Sequence, residues 1–233
     1  MGFSTSTSIA DNNFVAVPFN AVGYNTADIQ QIQISDGGAG GIGWGTENFS
    51  IWEGIPTVRA NSEFVYCDPS LDPDAQATDY YWGDLSGASA TYSIAPGQAV
   101  AINTGDAGLT FRLSGDVPMG AVSFSSIADN NFTGNPFPQA IDIQAITISD
   151  GGNGGIGWGT ENFSIWEGIP TVRANSEFVY CDPSLDPDAQ ATDYYWGDLS
   201  GASATYSIAP GQGVVINTGE ADLTITINPP YTL

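Results

Sequence analysis

Residues 90–113 read "ATYSIAPGQAVAINTGDAGLTFRL", and residues 204–227 read "ATYSIAPGQGVVINTGEADLTITI". This stretch decides the fold class. Ala90–Ile94 and Leu109–Leu113 alternate apolar and polar residues with a period of two, the pattern of a strand buried on one face. Ala99–Ile102 is a short run of β formers, and the "APGQ" before it is turn chemistry. The same pattern extends upstream. Phe49–Trp52 and Phe64–Cys67 read as strands, punctuated by "GIGWG", "DPSLDPD" and "WGDLSG". The segment "IDIQAITI" (Ile141–Ile148) changes phase between Ile143 and Ile146, which predicts a bulge. No stretch carries a 3.6-residue amphipathic period. About eight short strands per copy at this spacing predict an all-β fold of two tandem, near-identical β-sandwich or barrel-like domains.

The duplication is uneven. Gly40–Gln98 equals Gly154–Gln212 without one substitution at an offset of 114, whereas Ser8–Phe14 returns as Ser126–Phe132 at an offset of 118. The middle of the unit is unchanged and both of its ends have diverged. The expected organisation is a first domain at 1–113, a linker at 114–125 and a second domain with a C-terminal tail at 126–233. The tail, "NPPYTL", admits two readings: a proline-braced end, or a segment that leaves its domain to dock on the sheet edge of a neighbouring molecule. On the second reading the subunit contacts are Asn228, Pro229, Pro230, Tyr231 and Leu233, with Phe3 the candidate at the other terminus.

Charge narrows the partners. The 233 residues hold 26 aspartates and glutamates against three arginines, with no lysine or histidine, for a net charge of −23. Such a chain repels phosphate backbones, so a nucleic-acid partner is excluded. Lacking histidine, it has no ordinary proton shuttle near neutral pH, and lacking lysine it forms no Schiff base. An enzyme is therefore not expected. No apolar run reaches about 18 residues, so no membrane span is expected. The start shows neither a basic nor an apolar leader region. The Ser/Thr/Asn-rich β composition predicts an extracellular or cell-surface location with the leader removed.

Several residue sets could carry chemistry. Cys67 and Cys181 are equivalent, and in a head-to-tail arrangement they would stand about 35 Å apart, beyond disulfide reach unless the domains face each other across a two-fold axis. They read as small buried apolar residues, with an interchain bridge as the alternative. Asp68, Asp72 and Asp74, repeated as Asp182, Asp186 and Asp188, form either a solvated acidic turn or oxygen ligands for calcium, although their spacing misses an EF-hand. Calcium is the one cofactor considered. Glu47, Glu53 and Glu63 recur as Glu161, Glu167 and Glu177, but no spacing selects a catalytic pair. Trp44, Trp52, Tyr80, Tyr81 and Trp82 recur as Trp158, Trp166, Tyr194, Tyr195 and Trp196, as core residues or as platforms for sugar rings. Asn48, Asn131 and Asn162 each begin an Asn-x-Ser/Thr glycosylation triplet.

"GNPFP" at Gly134–Pro138 and "PGQG" at Pro210–Gly213 resemble recurring motifs in a loosely defined group of exported bacterial tandem-repeat β-proteins. The first copy departs from both, with "AVPFN" and "PGQA". That resemblance implies a surface or extracellular structural role, and the arrangement is similar to that of strand-donating pilus subunits. The expected function is a structural subunit of an extracellular bacterial filament, polymerising with copies of itself through its terminal segments. The alternative is a bivalent carbohydrate-binding module with glycans as partners.

Overall fold

The computed structural model describes residues 2–9, 11–20, 26–35, 44–50, 64–67, 81–84, 88–95, 97–104, 106–149, 158–164, 178–181, 194–198, 200 and 202–231. The protein is all-β, and its described helical turns are single 3-10 turns at Ile29–Gln31 and Ile143–Ala145. The first copy contributes β1 (Gly2–Thr7), β2 (Asp11–Ala16), β3 (Ala27–Asp28), β4 (Ile32–Ile34), β5 (Trp44–Ser50), β6 (Phe64–Cys67), β7 (Tyr81–Asp84), β8 (Ser93–Ile94), β9 (Ala99–Thr104) and β10 (Thr110–Gly115). The second contributes β11 (Val122–Ser125), β12 (Asp129–Gly134), β13 (Ile141–Asp142), β14 (Ile146–Ile148), β15 (Trp158–Ser164), β16 (Phe178–Cys181), β17 (Tyr195–Asp198), β18 (Ser207–Ile208), β19 (Gly213–Thr218) and β20 (Thr224–Ile227).

Each copy forms the same small sheets. In the first they run β1-β10-β4, β2-β9-β5-β6-β7 and β3-β8, and in the second β11-β20-β14, β12-β19-β15-β16-β17 and β13-β18. Neighbouring strands are antiparallel. Alternation places the core. In β10, Phe111 and Leu113 point inward while Thr110 and Arg112 face solvent. They join Ile32, Ile34, Val100, Ile102, Tyr66 and Trp82 in one cluster drawn from both larger sheets. The second copy builds its own cluster from Ile146, Ile148, Ile225, Ile227, Val214, Ile216, Tyr180 and Trp196.

The expected bulge in "IDIQAITI" is instead the 3-10 turn Ile143–Ala145, capped by the Asp142 carboxylate, which accepts from Gln144 N at 2.9 Å. One extra turn residue shifts the strand phase as a bulge would. It also aims Gln144 at the edge of β17. There Gln144 Nε2 donates to Trp196 O and Ala204 O, both at 2.7 Å, and Trp196 N donates to Gln144 Oε1 at 3.0 Å. Gln30 braces Trp82 and Ala90 in the first copy in the same way. Trp82 and Trp196 are fully buried, and their indole N–H groups donate to Ile32 O and Ile146 O at 2.8 Å.

The segment expected as a linker, 114–125, includes the end of one strand and the whole of another. Ser114 and Gly115 close β10, and Val122–Ser125 form β11, leaving 116–121 as the connection. Nor do the two β1-type strands announce themselves in sequence, because β1 reads "GFSTST" and becomes a strand through six backbone partners on β10.

Candidate functional site

The two copies meet at a seam built from the outer faces of β2, β9, β12 and β19. Phe14, Ala16, Ala99 and Ala101 of the first copy pack with Phe132 and Val215 of the second as a third apolar cluster. This explains why β9 is buried almost throughout: Val100 and Ile102 face their own core, while Ala99 and Ala101 face the other copy. Phe14 and Phe132 occupy equivalent positions and stack with centroids 5.9 Å apart and planes 16° from parallel. The backbone contacts are reciprocal: Val15 bridges Gln212, and its equivalent Thr133 bridges Gln98, the equivalent of Gln212. Equivalent residues touching each other in this way mark a pseudo-two-fold relation, as in an isologous dimer. Of the two arrangements the sequence leaves open, head to tail or face to face across a two-fold axis, these reciprocal contacts belong to the second.

Close approach at the seam depends on small residues. Gly134 and Gly213, the glycines of "GNPFP" and "PGQG", pair with each other across β12 and β19. A side chain at Gly213 would place its Cβ 2.9 Å from the backbone of Phe14. In the first copy the equivalent pair is Ala16 with Ala99. Two hairpins then cross over. Ala16 N donates to Gly211 O at 2.9 Å, and Thr133 Oγ1 donates to Gly97 O at 2.6 Å. Gly97 and Gly211 are both left-handed, with φ of +78° and +76°, so each turn needs a glycine on conformational grounds alone.

These two glycines differ in what covers them. Over Gly97 lie Phe124 and Val122 of β11, with Phe124 Cε1 3.1 Å from where a Cβ would stand. At an offset of 118 the equivalent residues of β1 are Ser6 and Ser4. Over Gly211, Leu113 Cδ1 takes one side of the corresponding space. Beside it opens a groove of about 400 Å³ between the copies, lined by residues including Ser6, Thr7, Asn13, Phe14, Phe111, Tyr206 and Gln212. None of the described lining residues is charged. Gln212 Nε2 donates to Tyr206 Oη at 2.9 Å and its Oε1 accepts from Ala209 N at 3.0 Å, which holds the far wall. The Ser4 hydroxyl, one pleat along β1, is buried without a hydrogen-bond partner among the described residues.

The residues singled out by sequence are placed as follows. The acidic turns Asp68, Asp72, Asp74 and Asp182, Asp186, Asp188 lie outside the described residues, as does Leu233. Among the described residues, no three His, Cys, Asp or Glu side chains converge as a metal site. Cys67 and Cys181 are buried thiols, outside any disulfide, beneath Gly83 and Gly197 respectively. Asn48 and Asn162 lie in the central strands β5 and β15, with their side chains outside the described set. Asn131 points inward. Its Nδ2 donates to Ile127 O, Ile216 O and Thr218 Oγ1, and its Oδ1 accepts from Ile127 N at 2.8 Å. The folded chain therefore leaves that amide nitrogen no room for a sugar, and the triplet there is a structural bracket repeated at Asn13.

The terminal residues divide. Asn228 N donates to Ala145 O at 2.9 Å, and Tyr231 Oη donates to Pro118 O at 2.6 Å while its ring meets Phe137 edge-on. Pro229 is half-buried and Pro230 exposed. The tail thus packs on its own half and the connection leading into it. Phe3 is 69% exposed on β1, with the Arg112 guanidinium 5.7 Å from its ring centroid. Of the aromatic cluster, Tyr81, Trp82, Tyr195 and Trp196 are buried, and Tyr194 is exposed and stacks on Tyr180. The side chains of Trp44, Trp52, Trp158, Trp166 and Tyr80 fall outside the described residues. Sequence reasoning missed the seam and its groove. Their only sequence signal was the divergence at the ends of each copy.

No described helix is long and apolar enough to cross a membrane. Comparison with protein-family models, with curated proteins and with solved structures returns no match.

Proposed function

We propose that this chain is a two-headed structural subunit of an extracellular assembly, joining copies of itself into a linear polymer. One observation carries the proposal. The seam is made by β2, β9, β12 and β19, whereas β5–β7 and β15–β17, which belong to the stretch of unchanged sequence, lie toward the opposite edge of each five-stranded sheet. A pseudo-two-fold molecule then presents the same surface at both ends. A second contact between like ends would extend such units into an open polymer when its two-fold axis does not intersect that of the seam, since the two operations then combine into a translation along the fibre. Identity of the repeated strands is what that contact requires. Each half is taken as one β-domain of sandwich type, since its core draws on both larger sheets.

The contact at the ends replaces the terminal-segment route as the favoured one, because Asn228 and Tyr231 already bond within their own half. Light scattering over a concentration series, with negative-stain microscopy, tests it. Fibres with a repeat of one chain length support the reading, and a monodisperse monomer at high concentration overturns it. Deleting 228–233 should leave fibre growth intact. Loss of growth would restore the tail model. Repeating the series with calcium and with chelator tests the acidic turns as ligands.

A second reading, a bivalent glycan-binding module, draws on the exposed Tyr194 beside β17. Retention of a monomeric chain on a polysaccharide column, lost in Tyr194→Ala, would favour it.

A further inference from the structure

We infer that the groove over Gly211 is a binding site for one neutral aromatic ring carrying a hydroxyl group, a phenol-type ligand. The molecule contains its own template for this. At the equivalent place over Gly97, the chain fills the seam with the phenyl ring of Phe124. The backbone around the two places is alike, from the left-handed glycines to the Gln–Tyr brackets, Gln98 with Tyr92 and Gln212 with Tyr206. With Ser6 in place of the phenyl, Leu113 Cδ1 takes one side of the space over Gly211 and the groove opens beside it. Phe14 and Phe111 offer apolar faces, and Tyr206 adds a third ring at the mouth.

Polarity and charge refine the ligand. Ser6, Thr7, Asn13, Tyr206 and Gln212 put hydrogen-bonding groups among the apolar lining, so a ring with one hydroxyl is matched better than a bare hydrocarbon. The described lining offers no charged partner, and a chain of net charge −23 disfavours anions. Beyond the lining, on the same face of β1, the Ser4 hydroxyl is buried with no hydrogen-bond partner among the described residues, where the equivalent residue of β11 is the apolar Val122. The site is single because only one copy carries the serines. The phenol group has two sources, a free small molecule or a tyrosine side chain on an extended peptide.

The test is titration of the intact chain, followed by NMR, with p-cresol, with the capped tripeptide Ser-Tyr-Ser and with methyl β-glucoside. Saturable p-cresol binding at one site per chain is expected, with Ser6→Phe weakening it at least tenfold. Phe124→Ser should open the mate and raise the stoichiometry to two. Tighter binding of the tripeptide than of p-cresol assigns the ring to a protein partner, and the reverse assigns it to a free ligand. Absence of saturable binding, undiminished binding in Ser6→Phe, preference for the glucoside, or a stoichiometry held at one in Phe124→Ser would each overturn the assignment. The last readout does not depend on Ser6→Phe folding.

Discussion

Gly97 and Gly211 are the same residue in two copies of one unit, with nearly the same φ, yet one lies under a phenylalanine and the other borders an open groove. Far from the seam the copies keep the same contacts: Gln30 and Gln144 bind their strands through the same three hydrogen bonds. The difference teaches where a fused dimer is free to change. In a true isologous dimer both sides of the interface mutate together, whereas joining the copies in one chain lets each side of the seam vary alone. Ala16 against Gly134, Ala99 against Gly213, and Ser6 against Phe124 are products of that freedom.

The comparison is most easily broken at the seam glycines. Gly213→Val should destabilise the chain by about 3 kcal/mol or more, because the new side chain meets the Phe14 backbone. The reverse change in the first copy, Ala99→Gly, should cost about 1 kcal/mol. Equal losses in urea denaturation would mean that the two sides of the seam are not differentiated. Away from the seam the expectation inverts. Gln30→Ala and Gln144→Ala should each cost about 2 kcal/mol by orphaning strand-edge groups, and the two values should agree. A clear difference between them would show that the seam's asymmetry reaches the far strands.

Smaller still is the packing difference between the two places over Gly97 and Gly211. Phe124→Ser should lower stability by about 1–2 kcal/mol, and Ser6→Phe should leave it unchanged or raise it. Thermal unfolding of both variants checks the sign. The smallest effect belongs to the tail, which has no counterpart in the first copy. Burial raises the Tyr231 pKa above its ordinary value of 10.0. The protonated phenol is the form favoured by folding, so its contribution is complete below about pH 10 and fades as pH rises through the higher folded value. Proteolysis of the C-terminus should accelerate over that alkaline range. In Tyr231→Phe it should vary little with pH.

How much of this was legible beforehand follows from the range of the forces. Alternation in Leu109–Leu113 and the turn chemistry of "APGQ" identified strands, because side-chain period and glycine conformation are local properties. Strand β1 was not legible, since "GFSTST" has little intrinsic signal and is strand only by pairing with β10. The "NFT" triplet misled for a related reason: three letters cannot reveal that Asn131 turns inward to bind Ile127 and Thr218.

The sequence by itself determined an all-β chain, its division into two copies and its net charge of −23. Tertiary structure alone decided that the copies face each other across a pseudo-two-fold seam and that the tail folds back. It alone also showed that Ser6 opens a groove where Phe124 closes one. Local backbone preference is written residue by residue, whereas a surface between copies exists only when residues as distant as Phe14 and Phe132 are brought into contact.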